Sequence, residues 1–227
     1  MTLSVIIPTL NEVQTLPGTL SRLQHPVFAE VLVVDGGSDD GTAAAVIRDH
    51  ARTRVLHAPK GRATQMNVGA AAATGEVLLF LHADTLLPIT ASEDILNTMA
   101  DSQIVGGRFD ARLIPDQGWL WVVGRMMSWR SRLTGIATGD QAIFVRRTVF
   151  EQIGGFQDIP IMEDLAFSRR LKQAGRIAAL RSCVMTSGRR WERHGALRTI
   201  LLMWLLRWLF FLGVNPIRFK RLYDDAR

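Results

Sequence analysis

Four short apolar runs in the first part of the chain are each followed by charged or hydrogen-bonding side chains. Those side chains belong to Thr9, Glu12, Asp35, Lys60, Arg62, His82 and Asp84. In an open α/β sheet, ligands bind outside the carboxyl ends of the strands, so these side chains are expected to meet at one sheet edge. Carboxylates with nearby cations suit a nucleotide diphosphate held through a divalent metal. The spacing therefore predicts a nucleotide-diphosphate site.

Strands and helices must bring these side chains together. Runs of β-branched and leucine residues predict strands over 3–7, 31–34, 54–57, 77–81, 104–112 and 142–145. Helical spacing predicts helices over 42–52, 63–73, 91–100, 148–153 and 163–174. The alternation of the two predicts an α/β fold, with a Rossmann-like sheet covered by helices on both faces.

Several classes of protein are excluded by missing motifs. The first strand is not followed by G-x-G-x-x-G, and neither G-x-x-x-x-G-K-[ST] nor G-x-S-x-G occurs. A single cysteine, Cys183, rules out a disulfide scaffold and fits a reducing compartment. The N-terminus has no secretory-signal pattern, so a cytoplasmic location is expected.

Five segments in order carry a family resemblance. The segments 4–12, 33–42, 80–84, 154–156 and 162–164 read SVIIPTLNE, VVDGGSDDGT, FLHAD, GGF and MED. Together they resemble the family 2 glycosyltransferases, small bacterial-type members with a GT-A fold, over about residues 3 to 175. The resemblance implies a mixed sheet and an enzyme that transfers a sugar from a nucleotide-diphosphate donor.

The resemblance also implies how the donor is bound. Asp35 would accept a hydrogen bond from a uracil-type base, or else cap its own turn, while Thr9 and Glu12 would line the nucleotide pocket. Lys60 and Arg62 would meet the base or the diphosphate, since a guanidinium pairs bidentately with phosphate oxygens. A UDP-type donor is therefore favoured.

A metal site is implied by the segment that ends the fourth strand. Asp84 matches the final acid of the family's D-x-D-like motif, which holds Mg²⁺ or Mn²⁺ against the diphosphate. His82 replaces the first acid of that motif. An imidazole ligand would favour Mn²⁺, and a packed, hydrogen-bonded histidine is the alternative interpretation.

Acceptor chemistry is implied further along the chain. Asp164 in the Glu163-Asp164 pair is expected to be the general base that deprotonates an acceptor hydroxyl, with inversion at the anomeric carbon. Adjacent helix residues point about 100° apart, so only one of this pair is expected to face the site. The remaining candidate acceptor contacts are Gly139, Asp140, Gln141, Arg190 and Trp191. Arg190-Trp191 is similar to the Q-x-x-R-W signature of processive members, but Ser187 replaces the glutamine, which favours single transfer.

The C-terminal part of the chain differs in charge and hydropathy. Residues 1–167 hold 13 basic and 18 acidic side chains, whereas 168–227 hold 14 and 3. The apolar stretch 200–214 contains Arg207 and is shorter than the roughly 20 residues needed to span a bilayer. We therefore expect a domain over 1–190 and an amphipathic helical appendage over 191–227. That helix would lie at the inner membrane surface, or else be a core helix or dimer contact.

A lipid-linked acceptor would account for the apolar C-terminal stretch, and two other functions compete with a transferase of this kind. A sugar-1-phosphate nucleotidyltransferase needs a basic glycine-rich loop after the first strand, where this chain has the acidic segment 8–12. A non-catalytic membrane-associated binding protein would bind no UDP. Nucleic acid is not expected as a partner, because the apolar stretch 200–214 fits a nucleic-acid groove poorly.

Overall fold

A computed structural model describes residues 1–50, 52–189, 196–220 and 222. Within these residues an eight-stranded sheet has the order β3-β2-β1-β4-β7-β6-β8-β5. The strands are β1 Leu3–Thr9, β2 Phe28–Asp35, β3 Thr53–His57, β4 Val77–Phe80, β5 Thr85–Leu86, β6 Ile104–Ile114, β7 Ile143–Arg146 and β8 Arg176–Ser187. The predicted mixed α/β sheet is therefore confirmed.

The first four strands pair in parallel around β1, as expected for successive strand–helix–strand units. β7 then runs antiparallel to both β4 and β6, which makes the sheet mixed. β6 pairs in parallel with β8, and the short β5 pairs antiparallel with β8. Neither β5 nor β8 is predicted by the sequence pattern.

Eight α-helices surround the sheet in the described part of the chain. They are α1 Leu16–Ser21, α2 Thr42–Asp49, α3 Arg62–Ala72, α4 Ala91–Met99, α5 Gly118–Thr134, α6 Arg147–Gln152, α7 Glu163–Ala174 and α8 Ala196–Phe211. Short 3₁₀ helices cover Gly139–Gln141 and Pro216–Phe219. The helix predicted over 163–174 has the bounds of α7, and the apolar, basic stretch after residue 118 is the long helix α5.

Both faces of the sheet are buried, because alternate side chains of each central strand enter different hydrophobic cores. Val5 and Leu79 belong to the core under α1, α4 and α5, whereas Ile6 and Leu78 belong to the core under α3, α6 and α7. Burial on both faces accounts for the continuous apolar runs in the sequence.

The Gly154-Gly155-Phe156 segment orients the loop before α7. Phe156 stacks on Phe167 with ring centroids 4.3 Å apart, and its backbone exchanges two hydrogen bonds with the Asn67 side chain. Gly155 has φ +61°, and a Cβ there would lie 2.8 Å from Asn67 Oδ1. The glycine therefore allows the loop to approach α3, which positions the start of α7.

The C-terminal helix α8 packs near the start of α7. Leu206 is fully buried in a cluster that includes Ile161, Met162, Leu165 and Phe219. No helix in the described part of the chain has the length and apolar character needed to cross a membrane. The structure thus places α8 against the body of the fold.

Candidate active site

A cavity of about 1110 Å³ opens at the carboxyl ends of β1 and β4. It collects the predicted residues Thr9, Glu12, Lys60, Arg62, His82, Asp84, Asp140, Glu163 and Asp164. Side chains of α5 and α8 line another part of the same cavity. Residues from opposite ends of the chain therefore share one site.

Gln65, in α3, ties together the two strand ends that flank the cavity. Its side-chain amide donates hydrogen bonds to Thr9 O at 2.8 Å and to Val34 O at 2.7 Å. Gly36 N donates to the same Thr9 carbonyl, and a Cβ on Gly36 would lie 3.0 Å from the Gln65 amide. This buried glutamine is not predicted by the sequence pattern, although it lies in the helix that begins at Arg62.

Asp35 ends β2 with a side chain only 3% exposed. Its Oδ2 accepts hydrogen bonds from the N–H groups of Gly37 and Ser38, each 3.0 Å long, and the Ser38 hydroxyl donates to Oδ1. Asp35 is not among the residues that line the cavity. These contacts fit the turn-capping alternative, and the contact with a nucleobase stays a prediction.

Arg189 joins two of the predicted acids. Its Nη2 atom lies 3.5 Å from Glu12 Oε2 and 3.3 Å from Asp84 Oδ2. Its Nε donates to the Ser187 hydroxyl at 2.9 Å. The guanidinium therefore lies where it offsets the charge of both carboxylates, an arrangement that sequence reasoning does not reveal.

His82 is held between two residues of the 139–141 segment. Its Nδ1 lies 3.1 Å from Asp140 Oδ1, and a Cβ on Gly139 would lie 2.3 Å from its Nε2. Asp140 engages one ring nitrogen and Gly139 lies near the other, and a metal bond from His82 stays a prediction beside these contacts. The packed, hydrogen-bonded alternative fits them.

The described residues contain no group of three or more His, Cys, Asp or Glu side chains that could hold a metal ion. Asp84 lines the cavity with a partly exposed carboxylate. Mg²⁺ is commonly held by one or two carboxylates together with substrate phosphates. The donor set at Asp84 therefore fits a metal that is shared with a diphosphate.

Glu163 and Asp164 begin α7 and both line the cavity, contrary to the expectation that only one would face it. Glu163 is 6% exposed, and burial followed by the charge of Asp164 raises its pKa to about 7. Asp164 accepts hydrogen bonds from Gly139 N and Leu165 N, each 2.8 Å long. The pair therefore combines a buried Glu163 carboxyl that readily holds a proton with an Asp164 side chain fixed in place by two backbone N–H groups.

The predicted acceptor residues are placed differently from one another. Asp140 lines the cavity, but Gly139 and Gln141 do not. Gln141 is fully buried, and its amide donates hydrogen bonds to Phe109 O and Ser131 Oγ. Gln141 therefore anchors the segment from inside the core and does not contact an acceptor. Arg190 and Trp191 lie outside the described residues.

The mixed sheet and its cavity at the strand ends define the GT-A fold. A crystal structure of S. aureus TarS in complex with UDP matches 82% of this chain and 60% of TarS, with a TM-score of 0.68 and 20% identity. The mannosyltransferase PcManGT from Pyrobaculum calidifontis, in complex with GDP-Man and Mn²⁺, matches 81% of this chain and 56% of PcManGT, with a TM-score of 0.65 and 24% identity.

Residues 4–154 match the family described as glycosyl transferase family 2, and the chain belongs to that family. It is 32% identical to an undecaprenyl-phosphate mannosyltransferase of Micrococcus luteus over 149 residues, 59% of this chain and 58% of that protein. An uncharacterized glycosyltransferase of Mycobacterium tuberculosis is also 32% identical, over 57% of this chain and 59% of its own length. The chain thus matches these relatives over less than two thirds of their length.

Proposed function

We propose that the chain is an inverting glycosyltransferase that moves a single sugar from a nucleotide-diphosphate donor to an acceptor hydroxyl on a lipid-linked molecule. The proposal rests on the cavity that unites Asp84, two cations and the Glu163-Asp164 pair with an apolar wall. Strand-end acids and cations suit a charged donor, and the apolar wall suits a lipid.

The polar end of the cavity would hold the donor. Lys60 and Arg62 would bind the diphosphate, with Arg62 pairing bidentately with phosphate oxygens. Asp84 would hold Mg²⁺ or Mn²⁺, which neutralises charge on the departing diphosphate. Arg189, now between Glu12 and Asp84, is close enough to exchange a carboxylate for a phosphate oxygen.

Asp164 would act as the general base. Its carboxylate is held in place by the backbone N–H of Gly139, in the same segment as Asp140. It would accept the proton of an acceptor hydroxyl as that oxygen forms a bond to the anomeric carbon and the diphosphate leaves with its bonding electron pair. Attack from the face opposite the leaving group inverts the configuration. Protonated Glu163 would keep a second negative charge away from Asp164 near neutral pH.

A lipid-linked acceptor is favoured by two observations. Met126 and Trp129 of α5 and Met203 and Trp204 of α8 line the same cavity as the acids. The relative from M. luteus is named for undecaprenyl phosphate. The exposed stripe of α8, formed by Leu201, Trp204, Leu205, Trp208 and Phe211, would lie on the membrane that carries such an acceptor.

The donor base is tested directly. Calorimetric titration with UDP and with GDP, each with and without Mn²⁺, is expected to give Mn²⁺-dependent binding of one of them, with UDP as our prediction. Asp84→Asn should weaken that binding about tenfold or more, since it removes a charged ligand. Asp49→Asn, an exposed acid on α2, is the matched control and should bind as the unaltered chain does.

Two results would contradict the proposal. The first is that neither UDP nor GDP binds the unaltered chain. The second is that Asp84→Asn binds the nucleotide with the same affinity and the same metal dependence as the unaltered chain. Where binding holds, the anomeric configuration of the transferred sugar, read by NMR, tests inversion.

A further inference from the structure

Two arginines from different helices line the apolar part of the cavity. Arg130 lies within α5 and Arg207 within α8, the helix formed by the most hydrophobic stretch of the chain. Neither belongs to a segment of the family resemblance. Their positions bring two positive charges close enough to affect each other in a cavity that apolar side chains of the same two helices also line.

Arg130 is poorly satisfied by the protein. Its Nε and Nη2 atoms are buried and have no hydrogen-bond partner in the described part of the chain. Burial, followed by the charge of Arg207, lowers the pKa of Arg130 to about 10, while Asp164 and Asp140 oppose the shift. Leaving buried guanidinium donors unpaired beside a like charge is unfavourable, which points to an anion that completes the site.

The surroundings restrict the anion to one with an apolar part. The neighbouring lining residues are Met126, Met127, Trp129, Leu133, Met203 and Trp204. Trp129 and Trp204 are 65% and 60% exposed, so this wall continues from the cavity to the surface. A chain of methylene or prenyl units lying along it would remove apolar surface from water.

We propose that Arg130 and Arg207 bind the phosphate headgroup of a lipid acceptor whose chain lies along the wall formed by α5 and α8. The inference rests on the proposed function and specifies its acceptor. A planar guanidinium pairs bidentately with phosphate oxygens. The negative charge of a phosphate offsets the two positive charges, whereas an uncharged alcohol does not. Arg130, Arg207 and Asp164 line the same cavity, so a headgroup bound by the two arginines would share that cavity with the proposed base.

The test uses soluble probes that separate headgroup from chain. The full chain is titrated by calorimetry with octyl phosphate, 1-octanol and inorganic phosphate, and separately with the nucleotide and Mn²⁺. Octyl phosphate is expected to bind about tenfold or more tightly than either other probe. Arg130→Gln and Arg207→Gln should each weaken octyl phosphate binding by a similar factor and leave nucleotide binding unchanged.

Matched controls come from the same two helices. Arg125 on α5 stacks over Trp121, 5.0 Å from its ring centroid, and Arg198 on α8 is exposed; neither lines the cavity. Arg125→Gln and Arg198→Gln should bind octyl phosphate as the unaltered chain does. Thermal unfolding of every variant identifies any that fails to fold. If Arg130→Gln fails to fold, the octyl phosphate affinity of Arg207→Gln decides whether the proposal holds.

Each contrary result overturns a stated part of the inference. If 1-octanol binds as tightly as octyl phosphate, the phosphate group makes no contribution to binding. If inorganic phosphate binds as tightly as octyl phosphate, the alkyl chain makes none. If both Arg130→Gln and Arg207→Gln bind octyl phosphate with unchanged affinity, the arginines do not bind the headgroup. If both variants also lose nucleotide affinity, the arginines bind the donor and not the acceptor. Absence of nucleotide binding by the unaltered chain defeats the proposed donor function alone, because the octyl phosphate titration is read without nucleotide.

Discussion

Replacing Glu163 by glutamine should change how stability depends on pH. The Glu163 carboxyl is almost fully buried at the start of α7. Burial and then the charge of Asp164 raise its pKa from 4.5 to about 7, against smaller opposing effects of Arg62 and His82. Glutamine has nearly the same shape and carries no charge at any pH, so the substitution isolates the cost of ionising this group.

The sign follows from proton binding. Between pH 4.5 and about 7 the unfolded chain releases the Glu163 proton while the folded chain retains it, so rising pH favours unfolding. At about 1.4 kcal/mol per pH unit, the loss across this interval is about 3 kcal/mol. That is a large part of the roughly 5–15 kcal/mol that stabilises a typical domain. Stability from this group is complete below pH 4.5 and is lost as pH rises through 7.

Urea unfolding at a series of pH values from 4 to 8 measures the effect. Glu163→Gln should be about as stable as the unaltered chain at pH 4 and more stable by up to about 3 kcal/mol at pH 8. Glu151→Gln, an exposed acid on α6, controls for the general effect of removing a carboxylate. A stability difference for Glu163→Gln that is the same at pH 5 and pH 8 would refute the reasoning.

Three further predictions concern other parts of the site. Arg130→Met should raise the free energy of unfolding in urea by about 1–3 kcal/mol, because it removes buried unpaired donors; an equal or lower value would contradict this. Gly139→Ala places a Cβ 2.3 Å from His82 Nε2, so thermal unfolding should show a loss of about 1–3 kcal/mol and transfer activity should fall; unchanged values would show that the segment gives way freely. Sedimentation with anionic vesicles should fall when Trp204 and Trp208 are both replaced by serine, and retention of full binding would exclude α8 as the membrane contact.

The strands and helices that sequence patterns predict are those whose signal is local. The runs that become β1, β2 and β4 are continuous and apolar because both of their faces are buried. β8 is different: Arg176–Ser187 mixes arginine, serine and apolar residues, and only Val184 and Thr186 in it are buried. Its pairing with β6 and β5 is made by residues distant in the chain, which local periodicity does not register.

The same distinction applies to the site. Strand-end residues such as Glu12 and Asp84 are predictable because the parallel sheet brings every strand end to one edge. The sequence does not predict the roles of Gln65, Arg130 and Arg189. A polar residue within a helix, or just after a strand such as β8, resembles an ordinary solvent-facing side chain in the sequence. Their roles depend on which backbone carbonyl, arginine or carboxylate approaches them in three dimensions.

This dependence on tertiary contacts bears on how the C-terminal segment is understood. In the predicted division at residue 190, the segment after it is an appendage that lies at a membrane surface, or else is a core helix or dimer contact. Yet Leu206 is buried against Met162 and Leu165, the residues on either side of the Glu163-Asp164 pair, and Arg207 lines the same cavity as that pair. Arg207 and Trp204, which line the cavity, and Trp208, which is exposed, belong to one helix. Under the proposed function, contact with a lipid surface and completion of the acceptor end of the cavity would therefore depend on a single element.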